Sequence, residues 1–148
     1  MFLPPPSISE GGFVIVKNMK INDCVIYTAV FLTPESQQKL LEQFPAIHTK
    51  VFAHHSTIEF RPQNADIPLG EQYPLKVVGY IADEKAQAII VENKYSKKQH
   101  PHITISTRED TAPVYVDEMI LGGEIIPVND FVLDGVVGYF NGTDDVIK

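Results

Sequence analysis

Two short strings in this chain carry residue types that can move protons around a phosphate. They are His55-Ser56-Thr57-Ile58 and His102-Ile103-Thr104-Ile105. Histidine is the side chain whose unperturbed pKa, about 6.5, lets neutral and charged forms coexist near neutral pH. One neutral imidazole can take a proton from water or a ribose hydroxyl, and a second, protonated one can give a proton to a leaving oxygen. Threonine hydroxyls can hydrogen-bond the non-bridging oxygens, where negative charge builds. A single His-x-Thr occurs often by chance. Two copies, both in strand-like sequence and both followed by isoleucine, are a far more specific signal.

Strand alternation sets which side chains act together. In the first stretch His55 and Thr57 share one face, and Ile58 and Phe60 take the other. In the second, His102, Thr104 and Ser106 share a face opposite Ile103 and Ile105. Paired in one sheet, the two strands would bring two histidines and two threonines together without needing a metal.

The elements that must position these strings follow from local chemistry. Val25 to Leu32 is rich in β-branched and aromatic residues and predicts a buried strand. Thr33-Pro34-Glu35 is a helix start, with Leu40, Leu41 and Phe44 as an apolar stripe and Pro45 as the stop. Val51 to Phe60 predicts a second strand. Residues 62 to 74 predict a loop, and Leu75 to Ala82 a strand turning at Asp83-Glu84-Lys85 into Ala86 to Glu92. Asn93 to His100 predicts a polar loop. His102 to Thr107 predicts a strand, Pro113 to Leu121 a helix, and Ile125-Ile126 and Phe131 to Phe140 the last strands. Asn141 onward reads as a polar tail containing Asp144-Asp145. Residues 1 to 12 read as irregular, Phe13 to Val16 as a short strand and Asn22-Asp23 as a turn.

The bulk properties bound what this chemistry can serve. The 148 residues are one domain's worth, 1–148. A net charge of −7 disfavours duplex DNA, because phosphate attraction supplies most of that affinity. The single cysteine, Cys24, excludes an intrachain disulfide framework and a cysteine-based zinc site. No apolar run reaches the length of a membrane helix. The start, Met1 to Pro6, lacks the basic and apolar regions of a secretory signal, so a cytoplasmic location is the expectation. Histidine spacing does not suggest a metal site, and no cofactor is expected.

Several residues have a plainer reading beside a functional one. His54, opposite His55 by alternation, reads as packed or capped. His100 reads as a loop residue, and His48 as a charge near a helix C-terminus. Lys94, Lys97 and Lys98 read as a solvated run that could steer an anion. Tyr27 fits either core packing or contact with a base or phosphate. Ser106 is a candidate ligand contact because it extends the face of His102 and Thr104. Arg108 reads as surface, within possible reach of a phosphate.

The pair of His-x-Thr-x strings resembles the motifs of the 2H phosphoesterase superfamily. The surrounding residues look like a branch close to the cyclic phosphodiesterase domain of fungal-type tRNA ligases. They are Tyr27-Thr28-Ala29-Val30 before the Pro34-Glu35-Ser36 helix, His54-His55 with Thr57, Gly79 with Asp83, and Pro101-His102-Ile103-Thr104-Ile105. The likeness covers about residues 25 to 140. It implies a bilobal, pseudo-symmetric α+β fold, with two antiparallel sheets lining a central cleft and helices outside. It implies a metal-independent phosphodiesterase acting on 2′,3′-cyclic phosphate RNA ends or small cyclic nucleotides, with His55, Thr57, His102 and Thr104 as catalytic residues and no metal. By the same resemblance His102 would activate water and His55 serve the leaving group, an order the sequence does not itself specify. Cyclic oligonucleotides or 2′-5′ linked signalling nucleotides are the alternative substrates. A non-catalytic nucleotide or RNA-end-binding module is the alternative of another class.

Overall fold

The computed structural model describes residues 25–63 and 67–147. The expectations for residues 1 to 12, Phe13 to Val16, Asn22-Asp23 and Cys24 lie outside them. The chain enters β1 (Tyr27–Leu32) and turns at once into α1 (Pro34–Gln43). Thr33 caps the helix, its hydroxyl accepting from the Ser36 amide, and Pro34 supplies a first helical position that needs no amide partner. The helix delivers Leu40, fully buried, to the main core.

The single strand expected from Val51 to Phe60 is two strands, β2 (Lys50–Val51) and β3 (His55–Phe60). Ala53 breaks it with φ 50°, a left-handed conformation that strand periodicity cannot anticipate. The backbone amides of Phe52 and Ala53 still bond the carbonyls of Ile105 and Thr104, so tertiary pairing fixes the break. Next comes β4 (Gln72–Ala82), which starts earlier than expected. Its first half pairs with a distant strand, and Pro74 sits within that pairing opposite Asp134. The strands β5 (Ala86–Glu92) and β6 (His102–Thr107) fall where the sequence places them. After α2 (Tyr115–Gly122) come β7 (Ile126–Pro127), β8 (Val132–Phe140) and β9 (Asp145–Val146). The last replaces part of the expected polar tail.

The architecture is α+β. The strands run β7-β4-β5-β6-β3-β1-β8-β9, with β2 on β6, and β4 also pairs with β8. Six strands, β4-β5-β6-β3-β1-β8, therefore close into an antiparallel barrel rather than standing as two separate sheets. Closure leaves one thin seam: β3 and β6 share a single bridge, Ser56 to Ile103. The barrel core holds Val30, Ile58, Leu75, Ile89, Ile103 and Leu133 among others. On the opposite face of β5, Ala86, Ala88 and Ile90 pack with Val116, Met119 and Ile120 of α2.

The motif strands share one irregularity. Against β1, residues Glu59 and Thr57 pair with Thr28 and Ala29, leaving Ile58 as an extra residue. Against β5, Ser106 and Thr104 pair with Gln87 and Ala88, leaving Ile105 extra. Each His-x-Thr-Ile string thus ends in a bulge at its isoleucine, and both isoleucines remain in the barrel core. A bulge exchanges the faces of the residues that follow it.

Candidate active site

Ile58 and Ile103 point into the barrel, so His55, Thr57, His102 and Thr104 lie on its outer face. Extending the antiparallel register from the Ser56 to Ile103 bridge sets His55 beside Thr104 and Thr57 beside His102. Each motif's histidine neighbours the other motif's threonine across the seam. The structure therefore brings these four residues together. Among the described residues, neither threonine hydroxyl and neither histidine Nε2 has a hydrogen-bond partner.

Each histidine is held through Nδ1. His102 Nδ1 lies 2.9 Å from the His100 carbonyl. A carbonyl only accepts, so Nδ1 carries the hydrogen and the Nε2 lone pair is open. Burial lowers the His102 pKa most, and the nearby Lys98 charge acts the same way, while the His100 bond and Asp117 oppose them. Lys98 itself pairs with Asp117 at 3.2 Å. Of the three lysines expected as a solvated run, Lys98 is the one whose charge reaches the motif. Lys94 lies over the rings of Tyr73 and Tyr95.

His55 stacks on Tyr27, ring centroids 4.7 Å apart, and lies near Phe31. Its pKa is lowered to about 3, by burial first and then by repulsion from His54 and His102. Both motif histidines are therefore neutral at pH 7 in the unliganded protein. Tyr27 stacks on Phe140 as well, at 5.3 Å. Burial and then the Asp145 charge raise its phenol to about 12, so it stays protonated. Tyr27 is thus a wall of the site.

His54 does not follow the alternation expected of it. The reversal at Ala53 breaks the strand just before it, and its ring turns edge-on to Phe31 and to His55. His54 Nδ1 is 2.9 Å from His55 Nδ1, and His54 Nε2 is 2.8 Å from Asp145 Oδ2. The sequence reads His54 as packed or capped and Asp145 as part of a polar tail, so the link between them is not expected from it. The adjacent His54-His55 pair was the one visible signal, and Asp145 was unreadable because β9 reaches it only by pairing with β8.

Ser106 is not part of this group. The bulge at Ile105 turns it to the barrel interior, where it is fully buried and its hydroxyl donates to Gln87 Oε1 at 2.6 Å. It also accepts from the His48 amide. His48 is likewise a link rather than a helix-end charge, since Nε2–H donates to the Asp83 carbonyl at 3.0 Å. Replacing Ser106 by Ala strands the His48 amide and removes one bond to Gln87. We expect a loss of about 1–3 kcal/mol in urea unfolding, with no change in the ligand behaviour of the outer face. Arg108 pairs with Asp110 at the surface.

Phe60 is 63% exposed and pairs with Tyr27, because the bulge at Ile58 brings it to the Tyr27 face instead of the opposite one. Arg61 lies over its ring. No group of three or more His, Cys, Asp or Glu among the described residues is arranged to hold a metal. No helix among them is long and apolar enough to cross a membrane. A scan of protein-family models finds none that matches this chain, and a search of curated proteins finds no similar one.

Proposed function

We propose that this protein is a two-histidine phosphodiesterase that opens 2′,3′-cyclic phosphates on RNA ends or small nucleotides. The observation that carries this reading is the placement, at neighbouring strand positions across one seam, of two imidazoles and two hydroxyls whose Nε2 and Oγ1 atoms have no partner among the described residues. A phosphodiester set there meets a proton acceptor, a proton donor and two oxygen-directed hydroxyls. His102 is the base, since its Nδ1–H is committed to His100 and its Nε2 lone pair is free. It takes a proton from water as the water oxygen bonds to phosphorus. His55 serves the departing ribose oxygen as the P–O bond breaks. Thr57 and Thr104 donate to the non-bridging oxygens. No step needs a metal.

Two further features favour a nucleotide ligand. The ring of Phe60, exposed beside Tyr27, offers a surface on which a base can stack. The two motifs share one local shape, a bulge at the isoleucine, which fits a pseudo-symmetric site centred on the seam between β3 and β6. The location that fits such a substrate is the cytoplasm.

The test is a substrate panel in excess EDTA read by mass spectrometry. It holds the four nucleoside 2′,3′-cyclic phosphates, a cyclic-ended RNA, 2′-5′ oligoadenylate and cyclic di- and trinucleotides. Opening of the cyclic mononucleotides or RNA end, undiminished by chelator, is the expected result. Cleavage confined to cyclic oligonucleotides or 2′-5′ linkages would move the substrate to signalling nucleotides. Activity lost in EDTA and restored by zinc would overturn the mechanism.

A further inference from the structure

We infer that Asp145, His54 and His55 form a proton relay, in which His54 is a positioning residue that loads His55 with the proton for the leaving oxygen. This rests on the two-histidine reading above. It answers a difficulty in that reading: burial holds the unliganded His55 ring neutral at pH 7, yet an acid must have a proton to give.

The hydrogen-bond directions define the relay. The Asp145 carboxylate only accepts, so His54 Nε2 carries a hydrogen toward it across 2.8 Å. One hydrogen lies between the two Nδ1 atoms, 2.9 Å apart. With His54 cationic, its Nδ1–H donates to His55 Nδ1, and the neutral His55 ring then carries its hydrogen on Nε2, facing the site. With His54 neutral, His55 Nδ1–H donates to His54, and His55 Nε2 is bare.

Catalysis runs from the first state to the second. The His55 Nε2–H bond breaks and that proton joins the departing ribose oxygen. The His54 Nδ1–H proton crosses to His55 Nδ1, while His54 Nε2–H stays on Asp145. His55 is neutral before and after, and His54 changes from cation to neutral ring. His102 gains the proton taken from water, so its loss to solvent and the uptake of one by His54 reset the site. The groups facing this pair are Asp145 from β9, Tyr27 from β1 and His102 from β6; the phenol of Tyr27 stays protonated and adds no charge.

The experiment compares wild type, Asp145→Asn, Asp145→Glu and His54→Gln on two substrates. One is 2′,3′-cyclic AMP, whose alkoxide leaving group needs a proton. The other is thymidine 3′-(p-nitrophenyl phosphate), which lacks a 2′-hydroxyl and whose phenolate leaves without a proton. Asp145→Asn and His54→Gln should lower kcat on the cyclic substrate by about 10–100-fold at little cost in KM, and on the activated ester by no more than about threefold. Asp145→Glu should recover part of the loss. In the resting protein, 15N NMR of the imidazoles should show one hydrogen shared between His54 Nδ1 and His55 Nδ1, seen as a coupling between the two nitrogens. Equal losses on both substrates would overturn the relay and leave the two-histidine reading standing, as would the absence of any coupling between the two Nδ1 atoms. A wild type that cleaves neither substrate would overturn the reading beneath it.

Discussion

Replacing His102 by Ala is expected to lower turnover of a 2′,3′-cyclic nucleotide by about 10²–10⁴-fold, and His55→Ala to do the same, with product affinity little changed. The rings sit across one seam with both Nε2 atoms free of described partners, as direct action on a ligand requires. The double variant should be little worse than either single one, because acid and base act in one transition state. Steady-state kinetics with product binding measured in parallel checks this. If binding falls with turnover, the rings hold the ligand rather than act on it.

The same substitution has a signature in stability. The fold holds His55 at about 3 against 6.5 in the open chain, so the unfolded state binds more protons between those values. The contribution of the neutral ring is present above pH 6.5 and is lost as pH falls toward 3. His55→Ala should therefore flatten the acid side of the stability curve between those limits, as followed by urea unfolding at stepped pH.

Ile103→Ala is expected to cost about 2–5 kcal/mol and to disable the site as well. Ile103 is fully buried in the barrel core, and its backbone makes the only bridge between β3 and β6. Elsewhere the barrel is closed by runs of paired residues, so a cavity here falls where the ladder has least to hold it. Activity should fall more than the folded fraction does, because Ile103 lies between the strand positions of His102 and Thr104. Denaturant unfolding beside kinetics on the folded fraction separates the effects. Turnover that merely tracks the folded fraction would mean that the seam tolerates loosening.

Where the determinants were local, the sequence was readable. Thr33-Pro34 marked the start of α1, the Asp83-Glu84-Lys85 turn marked the hairpin into β5, and alternating polar and apolar residues marked β6. The four motif residues fall together because alternation holds within each His-x-Thr. It fails one residue later, at the bulges of Ile58 and Ile105, which send Phe60 out and Ser106 in. Those bulges are visible only against the partner strands. The early start of β4 through Pro74 and the capture of Asp145 by His54 are likewise long-range facts. The closing β4–β8 pairing, which makes a barrel of two expected sheets, links segments no local pattern connects.

The most direct test of the two-histidine account is hydrolysis of 2′,3′-cyclic AMP in H₂¹⁸O with EDTA, read by mass spectrometry for wild type and the His55→Ala/His102→Ala double variant. The account predicts a ring-opened monophosphate carrying one heavy oxygen from the wild type, and none above background from the variant. An equally active double variant, or a wild type that leaves this and every other cyclic or 2′-5′ phosphodiester intact, would contradict it.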